Sequence, residues 1–311
     1  MNEQTDNTDT TPGLPFDPTE NLRKVLQLRH LGVKESGEDF FEGAVAPNPG
    51  PRVFGGQVIG QAIMAANDTM PDGRYIHSMH GYFLRGGDAD RPIEFGVENL
   101  RDGRSFSARR VHAFQDGRTL LSMIASFQDY DEGVDHYDPV PIDAPDPESL
   151  PSTAELLGSI DHPAAKFWAE QRPFDVRHVQ EPLYLPSEKL EISPDNAVWM
   201  KTFTALEGPQ AVQRAALAYA SDYTLLEPVL RRHGLNWAIP GMSIASLDHA
   251  MWFHRDVRVD DWLLYVQHSP NATGARGLGT GRIYTRDGLL VASVGQEGMI
   301  RVPEKFMHLA D

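Results

Sequence analysis

PQAVQRAALAYASDYTLLEPVLRRH, residues 209–233, holds the pattern on which the reading of the fold turns. Val212, Ala215, Tyr219, Asp222, Leu226 and Val229 recur at the three-to-four spacing of one helical face, and five of these six are apolar. The spacing predicts a buried helix with one carboxylate where an apolar side chain belongs. A carboxylate there loses hydration, so it finds hydrogen-bond donors or takes up a proton. Either outcome is typical of a working group, although a buried Asp held by its neighbours for structure alone has the same periodicity. Arg231, Arg232 and His233 suit a last helical turn and Gly234 suits its end. Pro228 cannot join the helical ladder, which predicts a kink or a new start just after Asp222.

Around this helix the chain reads as two blocks of one layout. In the first, Phe54-Gly55-Gly56 opens a small-residue helix from about 57 to 69, followed by strands at Ile76–Arg85, Ile93–Arg101, Ser105–Phe114 and Leu120–Gln128. The second places strands near Val176–Leu185 and Ala197–Phe203 before the Asp222 helix. Strands at Ile244–Arg255, Trp262–His268, Gly277–Tyr284 and Leu289–Arg301 follow it. Each block ends in a hairpin turning at Asp-Gly, Asp116-Gly117 and Asp287-Gly288. The segments His80–Arg85 and His249–Arg255 lie at matching distances before those turns, the sign of an internal duplication. The order is α+β, a long helix accompanied by a curved antiparallel sheet, twice over. Residues 1–20 read as a disordered polar tail, 21–130 and 174–305 as the two domains, and 131–173, crowded with Asp, Glu and Pro, as a linker with room for one short helix.

The last strand adds a second polar intruder. Gln296 shares a face with Leu290, Ala292, Val294 and Ile300. Two buried polar side chains on facing elements point to a site more strongly than either alone, though a buried Gln can also simply satisfy backbone. Ser246 is the natural third member, yet strict alternation turns it away from the face of Ala245, Leu247, Met251 and Phe253. A bulge or an entry turn has to re-aim it. Gly55 and Gly56 either let a ligand approach backbone amides or merely turn the chain into its helix.

Composition narrows the partners. The 311 residues carry 28 Lys+Arg against 44 Asp+Glu, a net charge of -16, which opposes nucleic acid and anionic membrane surfaces. With no cysteine there is no thiolate ligand or Cys nucleophile, a composition that suits the cytoplasm. No apolar run reaches the roughly 20 residues of a membrane span, and the opening residues lack the features of a signal peptide. His77 and His80, three apart on a strand, point to opposite faces and make a poor metal pair. Gly277–Gly281, GLGTG, lies on a strand with no helix after it, which rules against a phosphate loop. No G-x-S-x-G is present for a serine nucleophile.

These motifs resemble one family. Arg52–Ala62, His77–Arg85, Arg101–Val111, Tyr219–Asp222, Ala245–His254 and Gln296–Gly298 are similar to segments of the acyl-CoA thioesterase II family, and the likeness runs from about residue 20 to 305. The resemblance implies a double hot-dog fold and hydrolysis of fatty acyl-CoA to free acid and coenzyme A. It also implies that Asp222, Ser246 and Gln296 organise the attacking water, Ser246 standing where the family has Thr. The hydroxyl is kept; a methyl group and β-branched stiffness are lost. A thioester carbonyl accepts direct attack by a held and deprotonated water, so no metal, cofactor or covalent intermediate is called for. Backbone amides at a helix start and the Gln296 amide are the candidates for the oxyanion. Gly55, Gly56, Arg109, Arg110 and Arg276 are the candidate contacts to acyl-CoA, the arginines through its phosphates, although arginines on strands also form solvated outer faces. Self-association as a homo-oligomer, without stable membrane association, completes the expectation. Two rivals stand beside it: a hot-dog enoyl-CoA hydratase, whose Asp/His pair Asp248 and His249 should diverge across a strand, and a non-catalytic acyl-CoA binding or sensing protein.

Overall fold

Residues 55–67, GGQVIGQAIMAAN, contain no charge, and residues 210–221 contain one, so both helices can be surrounded by core. The computed structural model describes residues 17–184, 186–188 and 190–309. In chain order the elements begin with α1 (Pro18–Leu26), β1 (Arg29–Val33), β2 (Asp39–Gly43), α2 (Gly55–Asn67) and β3 (Arg74–Phe83). Then come β4 (Ile93–Asp102), β5 (Phe106–Gln115), β6 (Arg118–Asp129), α3 (Thr153–Leu157), α4 (Pro163–Glu170), β7 (Phe174–His178) and β8 (Asp195–Thr202). The chain closes with α5 (Gln210–Ser221), α6 (Glu227–Arg232), β9 (Ser243–Ser246), β10 (Asp248–Phe253), β11 (Leu263–Thr273), β12 (Arg276–Thr285) and β13 (Leu290–Arg301).

The strands form one antiparallel sheet in the order β1-β2-β4-β5-β6-β3-β10-β13-β12-β11-β8-β7, with β9 on β13. Read outward from the β3–β10 pair, both sides run through the same sequence of elements, β3-β6-β5-β4-β2 matching β10-β13-β12-β11-β8. The duplicated layout is therefore physical, and the two segments matched in sequence, around His80 and His249, pair with each other across the centre, Met79 opposite Met251. Each half is a hot-dog unit, a helix wrapped by its own strands.

The two helices touch through small residues. A Cβ on Gly56 would come 2.2 Å from the Tyr219 carbonyl, and one on Gly60 would come 3.0 Å from the Ala215 carbonyl. Contacts that advance along α2 as they retreat along α5 mean an antiparallel pair, so the start of α2 meets the end of α5.

Several boundaries differ from the sequence reading. The first helix starts two residues earlier, on the glycine pair itself. The 209–233 helix is two helices: α5 stops at Ser221, Asp222 is its C-cap, and α6 begins at Glu227 with Pro228 in its first turn. Pro228 thus marks the new start. Gly234, at φ +62°, ends the second helix. The 244–255 strand is also two, broken at Leu247. The strand expected at Val176–Leu185 ends at His178, and Leu185 itself lies outside the described residues. The expected tail lies outside the described residues up to 16, but Asp17 caps α1 through the Thr19 and Glu20 amides, so folded structure begins before residue 20. In place of the one short helix expected, the linker holds two short α-helices and a 3₁₀ turn at Pro147–Ser149, and Trp199 and Trp262 fasten it to the second half through Pro145 O at 2.9 Å and Glu148 Oε1 at 2.8 Å.

If close helix approach holds the halves together, Gly60→Val should cost about 1–3 kcal/mol by overpacking, outweighing the roughly 1 kcal/mol of helix propensity that leaving glycine gains. A urea unfolding midpoint equal to or above that of the parent would contradict the packing.

Candidate active site

The antiparallel crossing sets one carboxylate against one helix start. Asp222, as C-cap of α5, has a like-signed helix end behind it and the positive end of α2 before it, where the Gly56 backbone amide favours its charged form. A Cβ on Gly55 would stand 2.7 Å from Asp222 Oδ2. The glycine pair is what lets the carboxylate come this close.

Strand β12 makes the matching space from the other side. Cβ atoms on Gly277, Gly279 and Gly281 would fall 2.5 Å from Val229 Cγ1, 2.1 Å from the Leu225 carbonyl and 2.3 Å from the Tyr265 ring. The GLGTG run is therefore a trough in the sheet that receives the turn after Asp222 and helix α6. Gln267 Nε2 holds that turn through Thr224 Oγ1 at 2.6 Å, and the Tyr265 hydroxyl donates to the Ser221 carbonyl at 3.2 Å.

Ser246 and Gln296 reach Asp222 together. Ser246 Oγ donates to Asp222 Oδ1 at 3.0 Å; Gln296 Nε2 donates to the same oxygen at 2.9 Å and to Ser246 Oγ at 2.7 Å. The re-aiming of Ser246 has a structural cause. Ser246 pairs with Gly298 and Ala250 with Gly295, so four steps on one strand face three on the other. One extra residue, at Leu247, bulges the strand and turns Ser246 inward.

A residue absent from the sequence-level site completes the network. Fully buried His249 lies between Gln296 Oε1, at its Nδ1, and Ser221 Oγ, 2.9 Å from its Nε2. Because both Gln296 N–H groups go to Asp222 and Ser246, its Oε1 must accept from His249, which puts the proton on Nδ1. Burial lowers the pKa of His249, so the ring is neutral and its Nε2 is an acceptor facing the Ser221 hydroxyl, whose single proton also has the Ala218 carbonyl within reach at 2.9 Å. Burial raises the pKa of Asp222, opposed by the hydrogen bonds from Gln296 and Ser246 and by the Gly56 amide.

The site opens into a cavity of about 580 Å³. Its exposed end carries Arg52 and Arg85; the middle has Phe54, Gly55, Phe83, Tyr219 and Tyr223; the buried end has Arg172, Tyr184 and Glu227. Gly55 lines it, whereas Arg109, Arg110 and Arg276 do not. Arg109 is 3% exposed and committed to Asp102, Asn99 and Thr69, so it is no phosphate contact. Arg110 pairs with Glu98 and Arg276 with Glu297. Neither Arg52 nor Arg85 has an ion pair among the described residues. Both lie outside the named strands and are exposed, at the lip of the cavity.

Nitrogen NMR of the histidines should find His249 neutral and protonated at Nδ1 near pH 6, below the ordinary histidine pKa of roughly 6.5. A proton on Nε2, or a charged ring at that pH, would break the network as drawn.

A family model described as "Acyl-CoA thioesterase" matches residues 175–299 and one described as "Acyl-CoA thioesterase N-terminal domain" matches 45–128, one for each half of the sheet. Over 281 residues the chain is 37% identical to Acyl-CoA thioesterase 2 of Haemophilus influenzae, covering 89% of this chain and 98% of that protein. It is 36% identical over 299 residues to human Acyl-coenzyme A thioesterase 8, covering 92% of each. The crystal structure of the acyl-CoA thioesterase II TesB2 from Mycobacterium marinum superposes with a TM-score of 0.73 at 39% identity, over 91% of this chain and 99% of that one. A cavity between two hot-dog units, closed on Asp222, Ser246 and Gln296, is thus joined to sequence likeness along nearly the whole length, and the chain belongs to the acyl-CoA thioesterase family.

Proposed function

We propose that this thioesterase hydrolyses fatty acyl-CoA by direct attack of a water held by Asp222, Ser246 and Gln296. The observation that carries the reading is how the bonds at Asp222 are shared out. Ser246 and Gln296 both spend their donors on Oδ1, which leaves Oδ2, over Gly55, as the acceptor for a water in the cavity. Asp222 takes a proton from that water as its oxygen bonds to the thioester carbon. The tetrahedral adduct then collapses, the C–S bond breaks, and Asp222 returns the proton to the departing thiolate. Both Gln296 N–H groups are occupied, so of the two oxyanion candidates the helix start is the better supported. Gly55 N–H, at the positive end of α2, makes no hydrogen bond among the described residues and lines the cavity. Arg52 and Arg85 at the lip would hold the phosphates of coenzyme A, which directs the acyl chain inward. The catalytic groups belong to the second unit, residues 174–305, and the glycine pair that admits them to the first, 21–130.

The hydratase alternative is less well supported: the cavity lining contains no histidine, and Asp248 and His249 diverge, Asp248 accepting the Glu297 amide on the other side of the strand. Self-association is part of the same proposal. Tyr82, Ile124 and Trp252, 63%, 50% and 40% exposed, lie together on the outer face of the central strands, the kind of patch that a second copy covers. Light scattering that reports only monomer would remove it. No described helix is long and apolar enough to cross a membrane. The cysteine-free composition favours a cytoplasmic setting, which fractionation of the source cells would check.

Asp222→Asn should lower kcat by at least about a hundredfold while the fold persists. Its stability should rise. A raised native pKa gives stability that is present below the unfolded pKa and lost as pH rises through the native one, so at neutral pH the charged Asp222 is a net cost that Asn removes. By the same shift, kcat/KM should fall on the acid side at a higher pH than the roughly 3.9 of a free aspartate. Near-parental turnover in Asp222→Asn, or an acid limb at the free value, would exclude Asp222 as the base.

A further inference from the structure

The buried end of the cavity holds a guanidinium for which hydrolysis has no use. Arg172, just after α4, is 5% exposed and lines the same cavity as Asp222. Its Nη2 donates to Thr153 Oγ1 at 2.7 Å and to the Tyr184 hydroxyl at 3.4 Å. Its Nε–H is buried without a partner, and its third nitrogen makes no hydrogen bond among the described residues. None of the ion pairs among the described residues includes Arg172. The guanidinium lies 5.1 Å from the Tyr223 ring, and Tyr223 follows Asp222 directly, so this end belongs to the path of the acyl chain.

Glu227 shares that end but is already satisfied. Its Oε2 accepts from His178 Nε2 at 3.1 Å and Asn196 Nδ2 at 3.3 Å, its Oε1 accepts from Trp237 Nε1 at 3.1 Å, and Arg231 is its near counter-charge. Tyr184, Tyr223 and Glu227 are the ionisable groups that act on Arg172, and Glu227 does so only through space, with no hydrogen bond or ion pair to the guanidinium among the described residues. A guanidinium is charged at every accessible pH, and burying it without an anion is costly. The rest of the pocket end, Phe167, Trp168 and Trp237, would suit a hydrocarbon tail. A plain alkyl terminus would leave these N–H donors without an acceptor, whereas a carboxylate terminus would meet them directly.

We propose that Arg172 is a subsite for a carboxylate carried by the acyl chain, so that coenzyme A monothioesters of dicarboxylic acids are preferred to methyl-terminated esters of equal length. The inference rests on the thioesterase reading, with coenzyme A at the Arg52 and Arg85 lip.

Binding to the Asp222→Asn protein reads the subsite without hydrolysis. Calorimetry with length-matched pairs of acyl-CoA, carboxyl-ended against methyl-ended, should show one span of lengths at which the carboxyl ester binds about tenfold to a hundredfold tighter, the worth of a charge-assisted bond. Adding Arg172→Gln should erase the difference while the methyl ester still binds. Equal affinities at every length, or a preference that survives Arg172→Gln, would overturn the proposal. If Arg172→Gln does not fold, Arg172→Lys, which keeps the charge and loses the fork, must lower the ratio, and an unchanged ratio overturns it equally. A parent protein that shows the binding preference and releases no coenzyme A would refute the thioesterase reading and leave the subsite standing.

Discussion

The close antiparallel contact of two small-residue helices is the constraint from which the site follows. Gly56 and Gly60 bring the α2 backbone against the Tyr219 and Ala215 carbonyls, so the positive end of one helix is held at the end of the other. Asp222 sits at that junction, drawn to the α2 amides and desolvated by its surroundings. Desolvation makes it a stronger base than an exposed aspartate, and the Gly56 amide, Ser246 and Gln296 keep it ionisable. A hydrogen-bonded chain from Ser221 through His249 to Gln296 fixes the amide that fixes the carboxylate. His249 thus positions Gln296, one remove from Asp222.

Duplication explains why there is one such site and not two. Asp68 caps α2 as Asp222 caps α5, and burial raises its pKa too. The surrounding strands differ. On β12 and β13 the facing pair is Gly279 and Gln296; the corresponding pair on β5 and β6 is Arg109 and Ala125. Glycine leaves room for the turn after Asp222. Arg109 instead fills the space, donating to Thr69 Oγ1 and to the Thr69 carbonyl right behind Asp68. The arginine expected at a phosphate is the plug of the idle half.

Much of this was legible in residue spacing. Asp222 and Gln296 were visible because each interrupts an apolar face, and the two Asp-Gly turns gave away the repeat. Ser246 was legible only as a conflict with alternation, since the bulge that resolves it is set by pairing to β13. His249 was read as one half of a divergent pair; that its burial makes it the support of Gln296 depends on two distant elements meeting. Arg172 lay in a proline-rich stretch with no period to judge it against. The short strands β1 and β2 and helix α1 gave too little pattern to separate from loop. Arg110 and Arg276, paired with Glu98 and Glu297, fit the solvated outer face that strand arginines commonly form, and nothing in residue spacing sets Arg52 and Arg85 apart from them.

The claim at the centre is that water, not Asp222, attacks the thioester. A single turnover in ¹⁸O-labelled water, with enzyme in excess over acyl-CoA, tests it at the reacting atoms. Direct attack puts one labelled oxygen in the fatty acid of that first turnover and none in the Asp222 side chain. Unlabelled fatty acid, with the label recovered in the peptide that carries Asp222, would mean that the carboxylate itself had bonded to the acyl group and would contradict the mechanism.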